Sequence, residues 1–287
     1  MIYAYIDGDY LQRRCSFAIR KLWDVDPELD FGAIRDSVNA ARLFYYDCIE
    51  HTPRAGESLP EFEARVGRKQ VLLKNARQSD MCHVRAGTLK QRQKPREVTQ
   101  KEVDVQLVVD MLTHAARQQL SRVVLLTGDL DFRPAVESLV NSGVVVELLF
   151  DPLVTADELI EAADLRRPLN LRNWYGFCSE QFQKKHPLPM QGRDRPPNDA
   201  KEIRRGRLDG RLARLLRTNQ WSQSVPPSSR PPDSYGVVIE GEPGEMPYST
   251  WGQDLDLLIN KFVPLYHPGI EWEEKPDQPE EGPLTAA

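Results

Sequence analysis

The stretch Val123–Leu139 constrains the fold more than any other part of the chain. Its first four residues, Val123–Leu126, are apolar and rich in β-branched types, in a run too short for a buried helix. Such a run predicts a strand covered on both faces, as in a parallel sheet. A threonine and a glycine end the run, and Asp129 and Asp131 follow at once. Open α/β sheets bind ligands at the carboxyl ends of their strands, so the two carboxylates are predicted at such an edge.

This stretch has two interpretations, and taken alone it does not decide between them. Two carboxylates within about 4 Å would repel by roughly 4 kcal/mol at an effective dielectric of 20, and a bound cation would relieve that cost. Alternatively, the segment is a polar loop in which Asp131 caps the next helix, whose first turn contains Pro134.

Short apolar runs and helical patterns alternate along the first 172 residues. The runs predict strands at Ile2–Ile6, Arg42–Ile49, Met81–Ala86, Val123–Leu126 and Val144–Phe150. Capping residues and 3.6-residue periodicity predict helices at about 11–23, 30–38, 58–77, 100–115, 132–142 and 156–163. This alternation with short connections is typical of an α/β fold, a doubly wound and mostly parallel sheet with helices on both faces.

Composition excludes several other classes of protein. No apolar run approaches the length of a membrane span, and the N-terminus lacks the basic region of a signal peptide. We therefore expect no membrane partner and a cytoplasmic location. The four cysteines are scattered, without a CxxC pair or neighbouring histidines, which favours free thiols over disulfides or a zinc site.

The C-terminal third has a different composition and an uneven charge. The whole chain carries a net charge of −5, but residues 184–230 contain 12 basic and 4 acidic side chains, and residues 231–287 contain 2 and 12. This pattern predicts a Pro-rich extension: a basic linker and helix over 173–234, with the helix at Asp199–Thr218, then an acidic, partly disordered tail over 235–287. The arginines of the helix could contact phosphate groups, or the segment 184–287 could bind a protein partner or self-associate. A solvated helix without such a role is the alternative.

Separate parts of the first 172 residues supply acids that are predicted to meet. Asp7 ends the first strand, and Asp104 lies on the apolar side of the helix that begins near residue 100. Parallel strands end at one edge of a sheet, and that helix runs into the strand ending before Asp129 and Asp131. Oxygen ligands without histidine or thiolate favour Mg²⁺ or Mn²⁺. The alternatives are a turn residue at Asp7 and a pair between Asp104 and Lys101.

Three segments together resemble the three motifs of the NYN domain family of PIN-like ribonucleases, most closely its LabA-like bacterial branch. They are Ile6–Leu11, Lys101–Asp110 and Leu126–Phe132 with Pro134, and the resemblance covers roughly residues 1–170. It implies a PIN-like fold and a metal-dependent endoribonuclease that cleaves single-stranded RNA, with its site at Asp7, Asp104, Asp129 and Asp131. Asp110 also matches the pattern, although it lies on the polar side of its helix. The family often has Asn at the position of Tyr10.

Two other functions remain open from the sequence. Asp7-Gly8-Asp9 after a strand resembles the nucleophile and acid pair of haloacid-dehalogenase phosphatases, although Leu11 departs from that pattern. A non-catalytic RNA-binding or scaffold protein with a vestigial acidic site is the third hypothesis, and Tyr10 favours it. RNA cleavage, release of phosphate from monoesters, and RNA binding without turnover distinguish the three functions.

Overall fold

The computed structural model describes residues 1–49, 52–87, 100–218, 234–242 and 244–273, with the backbone alone at 100–102. The chain divides into two compact units, Met1–Lys184 and Lys185–Ala287. The first unit extends past residue 172, where the predicted first domain ends, to Lys184. None of the described helices is both long and apolar enough to span a lipid bilayer.

The first unit contains a six-stranded, all-parallel sheet, which confirms the predicted α/β class. The strand order is β3-β2-β1-β4-β5-β6. The strands are β1 (Ile2–Asp7), β2 (Arg42–Cys48), β3 (Cys82–Gly87), β4 (Arg122–Leu126), β5 (Val145–Phe150) and β6 (Leu165–Pro168). The sequence did not predict β6 because this edge strand, Leu-Arg-Arg-Pro, is largely exposed and lacks an apolar run.

Helices cover both faces of this sheet. They are α1 (Gly8–Trp23), α2 (Phe31–Ser37), α3 (Leu59–Gln78), α4 (Gln100–Ala116), α5 (Arg133–Asn141), α6 (Asp157–Ala162), α7 (Leu171–Gly176) and α8 (Glu180–Lys185). One core joins α1, α2, α3 and α7 to the sheet, and a second core joins α4, α5 and α6 to the opposite face.

Alternation along β1 decides which face each side chain meets. Ala4 and Ile6 lie in the core beneath α1, whereas Tyr3 and Tyr5 lie in the core beneath α4. Because side chains alternate with a period of two, Asp7 continues the row of Tyr3 and Tyr5 toward the α4 face. The strand pattern thus aims Asp7 toward the helix that carries Asp104.

The local capping signals are mostly confirmed. Ser58 and Glu61 form the predicted capping box of α3, and Asp30 caps α2. Helix α1 begins at Gly8, earlier than predicted, because the Asp7 side chain accepts the Tyr10 N–H and caps it. After β4 the capping acid is Asp129, which accepts the Asp131 N–H of a short 3₁₀ turn, Leu130–Phe132. The alternative in which Asp131 caps the next helix is wrong.

The second unit is an antiparallel sheet with the strand order β12-β8-β9-β10-β11-β7. Its strands are β7 (Met190–Gly192), β8 (Lys201–Leu208), β9 (Arg211–Thr218), β10 (Ser234–Ile239), β11 (Tyr248–Gly252) and β12 (Glu271–Trp272). A π-helical segment, Leu257–Phe262, continues into α9 (Val263–Tyr266). Leu258 of the first and Val263 of the second pack on one face of the sheet.

The predicted basic helix at Asp199–Thr218 is wrong, because this segment forms the hairpin β8–β9. Asp209 and Gly210 both have positive φ, 47° and 78°, which is the geometry of a two-residue hairpin turn. The Asp-Gly pair is a strong hairpin signal, but the leucines around it also fit helical spacing. The predicted acidic tail also contains β10, β11, β12 and the helical segment, and its final residues, 274–287, lie outside the described residues.

Candidate active site at the carboxyl edge of the parallel sheet

Asp7 is the most buried acid of the four predicted site residues. Its residue exposure is 8%, and its two carboxylate oxygens accept the Tyr10 N–H (3.1 Å) and the Thr127 hydroxyl (2.9 Å). Burial raises the pKa of Asp7 to about 6, although these hydrogen bonds favour the charged form. Among the side chains that the structure describes, the effect of burial on the Asp7 pKa therefore outweighs the two hydrogen bonds and the charge of Arg13.

Thr127 joins Asp7 to Asp129. The Thr127 side chain is fully buried, donates to Asp7 and accepts the Asp129 N–H at 3.2 Å. Asp129 in turn accepts the Asp131 N–H at 3.0 Å, and both of these acids are exposed. The Thr127 hydroxyl therefore closes the turn after β4 and also orients Asp7.

Asp104 lies within electrostatic reach of the other acids. Its pKa is raised to about 7, first by burial and then by the charges of Asp7, Asp129, Asp131 and Asp9. Neighbouring negative charges raise a carboxyl pKa because they disfavour a further negative charge. The structure thus brings the predicted site residues into one acidic region. The predicted pair between Asp104 and Lys101 falls outside the described side chains.

The acidic region does not form a closed set of metal ligands. Among the residues that the structure describes, no three His, Cys, Asp or Glu side chains are close enough to hold one ion. The chemistry of the donors nevertheless fits a hard divalent cation, since all of them are carboxylates and two have pKa values raised by burial. These carboxylates would hold the ion.

Other acids near the strand ends pair with cations, whereas the four acids of the acidic region form no ion pair with any side chain that the structure describes. Asp47, the next-to-last residue of β2, pairs with Lys69 (2.6 Å) and also accepts hydrogen bonds from Tyr45 and Gln12. Asp151, after β5, pairs with Arg14 (2.5 Å) and accepts the Leu153 N–H. The Asp151 side chain therefore stabilises the turn after β5 and also forms an ion pair.

Asp110 and Asp9 also have local partners. Asp110 accepts from Tyr46 (2.8 Å), Arg85 (3.1 Å) and Gln106 (2.9 Å), and these bonds lower its pKa despite its partial burial. Asp9 pairs with Arg13 at 2.9 Å on the surface of α1. Asp110 is thus engaged in holding α4 to β2 and β3.

Two glycines allow the turns after β1 and β4 to pack closely. A Cβ at Gly8 would lie 2.6 Å from the Tyr46 carbonyl oxygen, and a Cβ at Gly128 would lie 2.4 Å from Cε2 of Tyr10. Any larger residue would push the turn away from its neighbour. Sequence reasoning named these glycines only as breaks in apolar runs, since the close approach exists only in the assembled sheet.

Tyr10 makes contacts that sequence reasoning did not predict. It is 5% exposed, and its hydroxyl receives the Asp151 N–H at 2.7 Å and lies 3.1 Å from Thr155 Oγ1. From the sequence, residue 10 was notable only because the family often has Asn there. Nothing in the sequence linked it to a loop 141 residues later.

Comparison with solved structures gives a match of low similarity. A crystal structure of a protein of unknown function from Vibrio parahaemolyticus has 18% sequence identity and a TM-score of 0.44. The match covers 62% of this chain and 95% of that one. No curated protein matches the chain.

The family comparison covers the whole parallel sheet. The model of the NYN domain matches residues 2–170, which include all six strands and the four acids of the candidate site. The predicted relationship to this family, a group of PIN-like nucleases, is therefore confirmed. The chain belongs to the NYN domain family.

Proposed function

We propose that this protein is a metal-dependent endoribonuclease that cleaves single-stranded RNA at the acidic region formed by Asp7, Asp104, Asp129 and Asp131. Membership of the NYN domain family supports a nuclease-type hydrolase. The specific observation behind the proposal is the contrast between acids: Asp47 and Asp151 are neutralised by cations, whereas Asp7 and Asp104 have raised pKa values.

The chemistry of such a site follows from its charges. A Mg²⁺ or Mn²⁺ ion would activate water and neutralise the phosphodiester during in-line displacement. Thr127 would keep Asp7 and Asp129 in a fixed relation through its two hydrogen bonds, and Tyr10 N–H would hold the second oxygen of Asp7. Asp104, on α4, would contribute the carboxylate from the helix side of the site.

The test is Asp129→Asn, which removes one charge while the amide oxygen can still accept the Asp131 N–H. We expect RNA cleavage with Mg²⁺ or Mn²⁺ to fall at least about 100-fold, because the ion would lose one carboxylate ligand, and losing even a residue that only supports a metal ligand costs about 10- to 100-fold. The unfolding temperature without metal should equal or exceed that of the wild type, because one repulsive charge is gone. Cleavage of a labelled single-stranded RNA and thermal melts measure the two quantities.

The matched control is Asp157→Asn, an exposed acid in the first turn of α6 that has the same side chain chemistry. It should cleave like the wild type. A clear loss of stability in Asp129→Asn would instead identify Asp129 as a structural cap. RNA binding without turnover by the wild type in any metal would favour the non-catalytic scaffold, and phosphate release from monoesters would favour the phosphatase.

We further propose that the second unit supplies a partner surface through the arginine-bearing hairpin β8–β9. Its arginines are partly paired within the sheet: Arg205 with Glu202 at 2.9 Å and Arg214 with Glu240 at 3.5 Å. RNA phosphates, another protein or a second copy of the chain are the partners that the segment 184–287 could take.

A further inference from the structure

Tyr10 connects the ends of three neighbouring strands at the acidic edge. It lies in the first turn of α1, directly after β1, and its backbone N–H donates to Asp7. Its ring lies against Gly128, which follows β4, so closely that a Cβ there would be 2.4 Å from Cε2. Its hydroxyl meets Asp151 and Thr155, in the loop that follows β5.

The hydrogen bonds around this hydroxyl fix its direction. The Asp151 N–H donates to the Tyr10 oxygen at 2.7 Å, and the Thr155 hydroxyl donates to the Asp151 carbonyl oxygen at 2.9 Å. Thr155 has therefore used its one proton, so the Tyr10 O–H donates to Thr155 Oγ1 at 3.1 Å. The loop is held from a second side, because Arg14 pairs with the carboxylate of Asp151.

The Tyr10 side chain is buried and its hydroxyl is fully occupied, so it is not placed to touch RNA. Its ring instead bears on the turn between β4 and Asp129, while its backbone holds Asp7. A shift of the loop after β5 would therefore move the Tyr10 ring and change the distance between Asp7 and Asp129.

We propose that Tyr10 is a positioning residue: its hydroxyl, anchored on Asp151 and Thr155, sets the relative position of Asp7 and Asp129 and thereby the affinity of the acidic region for a divalent cation. This inference rests on the proposed metal site. It assigns a role to the residue that sequence reasoning had associated with a vestigial site.

The test is a Mn²⁺ titration of the metal-free full-length protein. Calorimetry and the rise in unfolding temperature measure the binding. Tyr10→Phe removes only the hydroxyl, and Thr155→Val removes its acceptor. We expect both to weaken Mn²⁺ binding by roughly 10- to 100-fold, the usual effect of losing a group that supports metal ligands. Thr155→Ser keeps the hydroxyl and should bind Mn²⁺ like the wild type.

Tyr175→Phe is the matched control, because the Tyr175 hydroxyl donates to the Gln183 carbonyl oxygen (3.0 Å) within the same unit but away from the strand ends. It should lower the unfolding temperature without changing Mn²⁺ affinity. Wild-type Mn²⁺ affinity in both Tyr10→Phe and Thr155→Val would overturn the proposal and leave Tyr10 as a core residue.

The outcome also separates this inference from the proposed function. Mn²⁺ binding that depends on the Tyr10 hydroxyl, without RNA cleavage by the wild type, would support the positioning role and overturn the nuclease. A wild-type protein that binds no Mn²⁺ would overturn the positioning role together with the metal site.

Discussion

At the scale of single residues, Asp7 shows what the acidic region costs the folded protein. Its pKa rises from 3.8 to about 6 because burial outweighs the hydrogen bonds from Tyr10 and Thr127. That difference corresponds to roughly 3 kcal/mol against ionising Asp7 in the fold, at about 1.4 kcal/mol for each tenfold change in acidity. Asp104 adds to this effect, since its pKa is about 7. A folded state that accepts such a cost is consistent with a site for a cation.

The stability of the metal-free protein should depend on pH through these two groups. Both carboxyls bind protons more tightly in the folded state than at the ordinary value of 3.8, so protons favour folding. Their contribution is fully present below about pH 4 and is lost as the pH rises through about 6 and 7. Urea unfolding of the wild type and of Asp7→Asn, with a chelator, should show a smaller decline over this range in the variant.

Added metal should reverse this dependence. A cation binds the ionised carboxylates, so the stabilisation by Mn²⁺ should be larger at pH 7.5 than at pH 5. At a concentration about 100 times the dissociation constant it should approach roughly 2.7 kcal/mol. An equal stabilisation at both pH values would contradict the assignment of Asp7 and Asp104 to the metal site.

At the scale of elements, the turn after β4 determines how closely β1, β4 and β5 meet. Gly128 lies under the Tyr10 ring. A Cβ at this position would lie 3.0 Å from Thr155 Oγ1. Phe132, a few residues later, is buried in the core under α5. The turn is thus fixed between two packed groups, and the two acids it carries have little freedom at the backbone.

Gly128→Ala should therefore reduce both stability and activity. The added methyl group overlaps the Tyr10 ring, and overpacking of this kind costs about 1–3 kcal/mol. Chemical denaturation and RNA cleavage measure the two effects.

Gly67→Ala is the control, because Gly67 lies within α3 and nothing stands within 4 Å of a Cβ there. It should stabilise the protein by roughly 0.5–1 kcal/mol, since alanine favours a helix interior. If Gly128→Ala were as stable and active as the wild type, the close packing of this turn would not be needed.

At the scale of the whole molecule, the chain contains two units with separate cores. The two cores of the first unit lie entirely within residues 1–184, and the third lies within the antiparallel sheet. The charge also differs, since the basic stretch 184–230 includes both strands of the hairpin β8–β9. RNA binding by the second unit can thus be tested by removing it as a unit.

We expect a fragment of residues 1–185 to fold and to keep the same Mn²⁺-induced stabilisation as the full chain. If the arginines of β8 and β9 contact phosphates, the logarithm of the RNA association constant of the full chain should fall by about 0.7 per contact for each tenfold rise in salt concentration. The fragment should show a flatter slope. Binding is measured in the Asp129→Asn background, which prevents cleavage. Identical slopes would remove the second unit from RNA binding and leave it as a protein-docking element.

A deletion of 231–287, which would remove the whole acidic C-terminal stretch, is not a clean test. It would remove β10, β11 and β12 from the sheet that contains the arginines. The deletion that leaves every described strand intact is 274–287. Removing this acidic segment should raise RNA affinity at low salt, because it takes away negative charge.

The sequence by itself predicted the elements of the parallel sheet and named the acids of the candidate site. Short apolar runs, capping boxes and the order of strands and helices predicted β1 to β5 and α1 to α6 because these signals are local. The acids could be named because strand ends in a parallel sheet must share one edge. Hairpin β8–β9 was mistaken for a helix because its leucines fit both periods, and the choice between them depends on pairing with β10 and β12.

Tertiary structure alone decided which acids pair with cations and which groups the Tyr10 hydroxyl contacts. Lys69 reaches Asp47, and Arg14 reaches Asp151, across separations of 22 and 137 residues, so no local pattern marks these pairs. The hydroxyl of Tyr10 meets a loop that the fold, and not the neighbouring sequence, brings to it. Charge balance and hydrogen bonding at the strand ends depend on distances through space, and those distances exist only once the sheet has assembled.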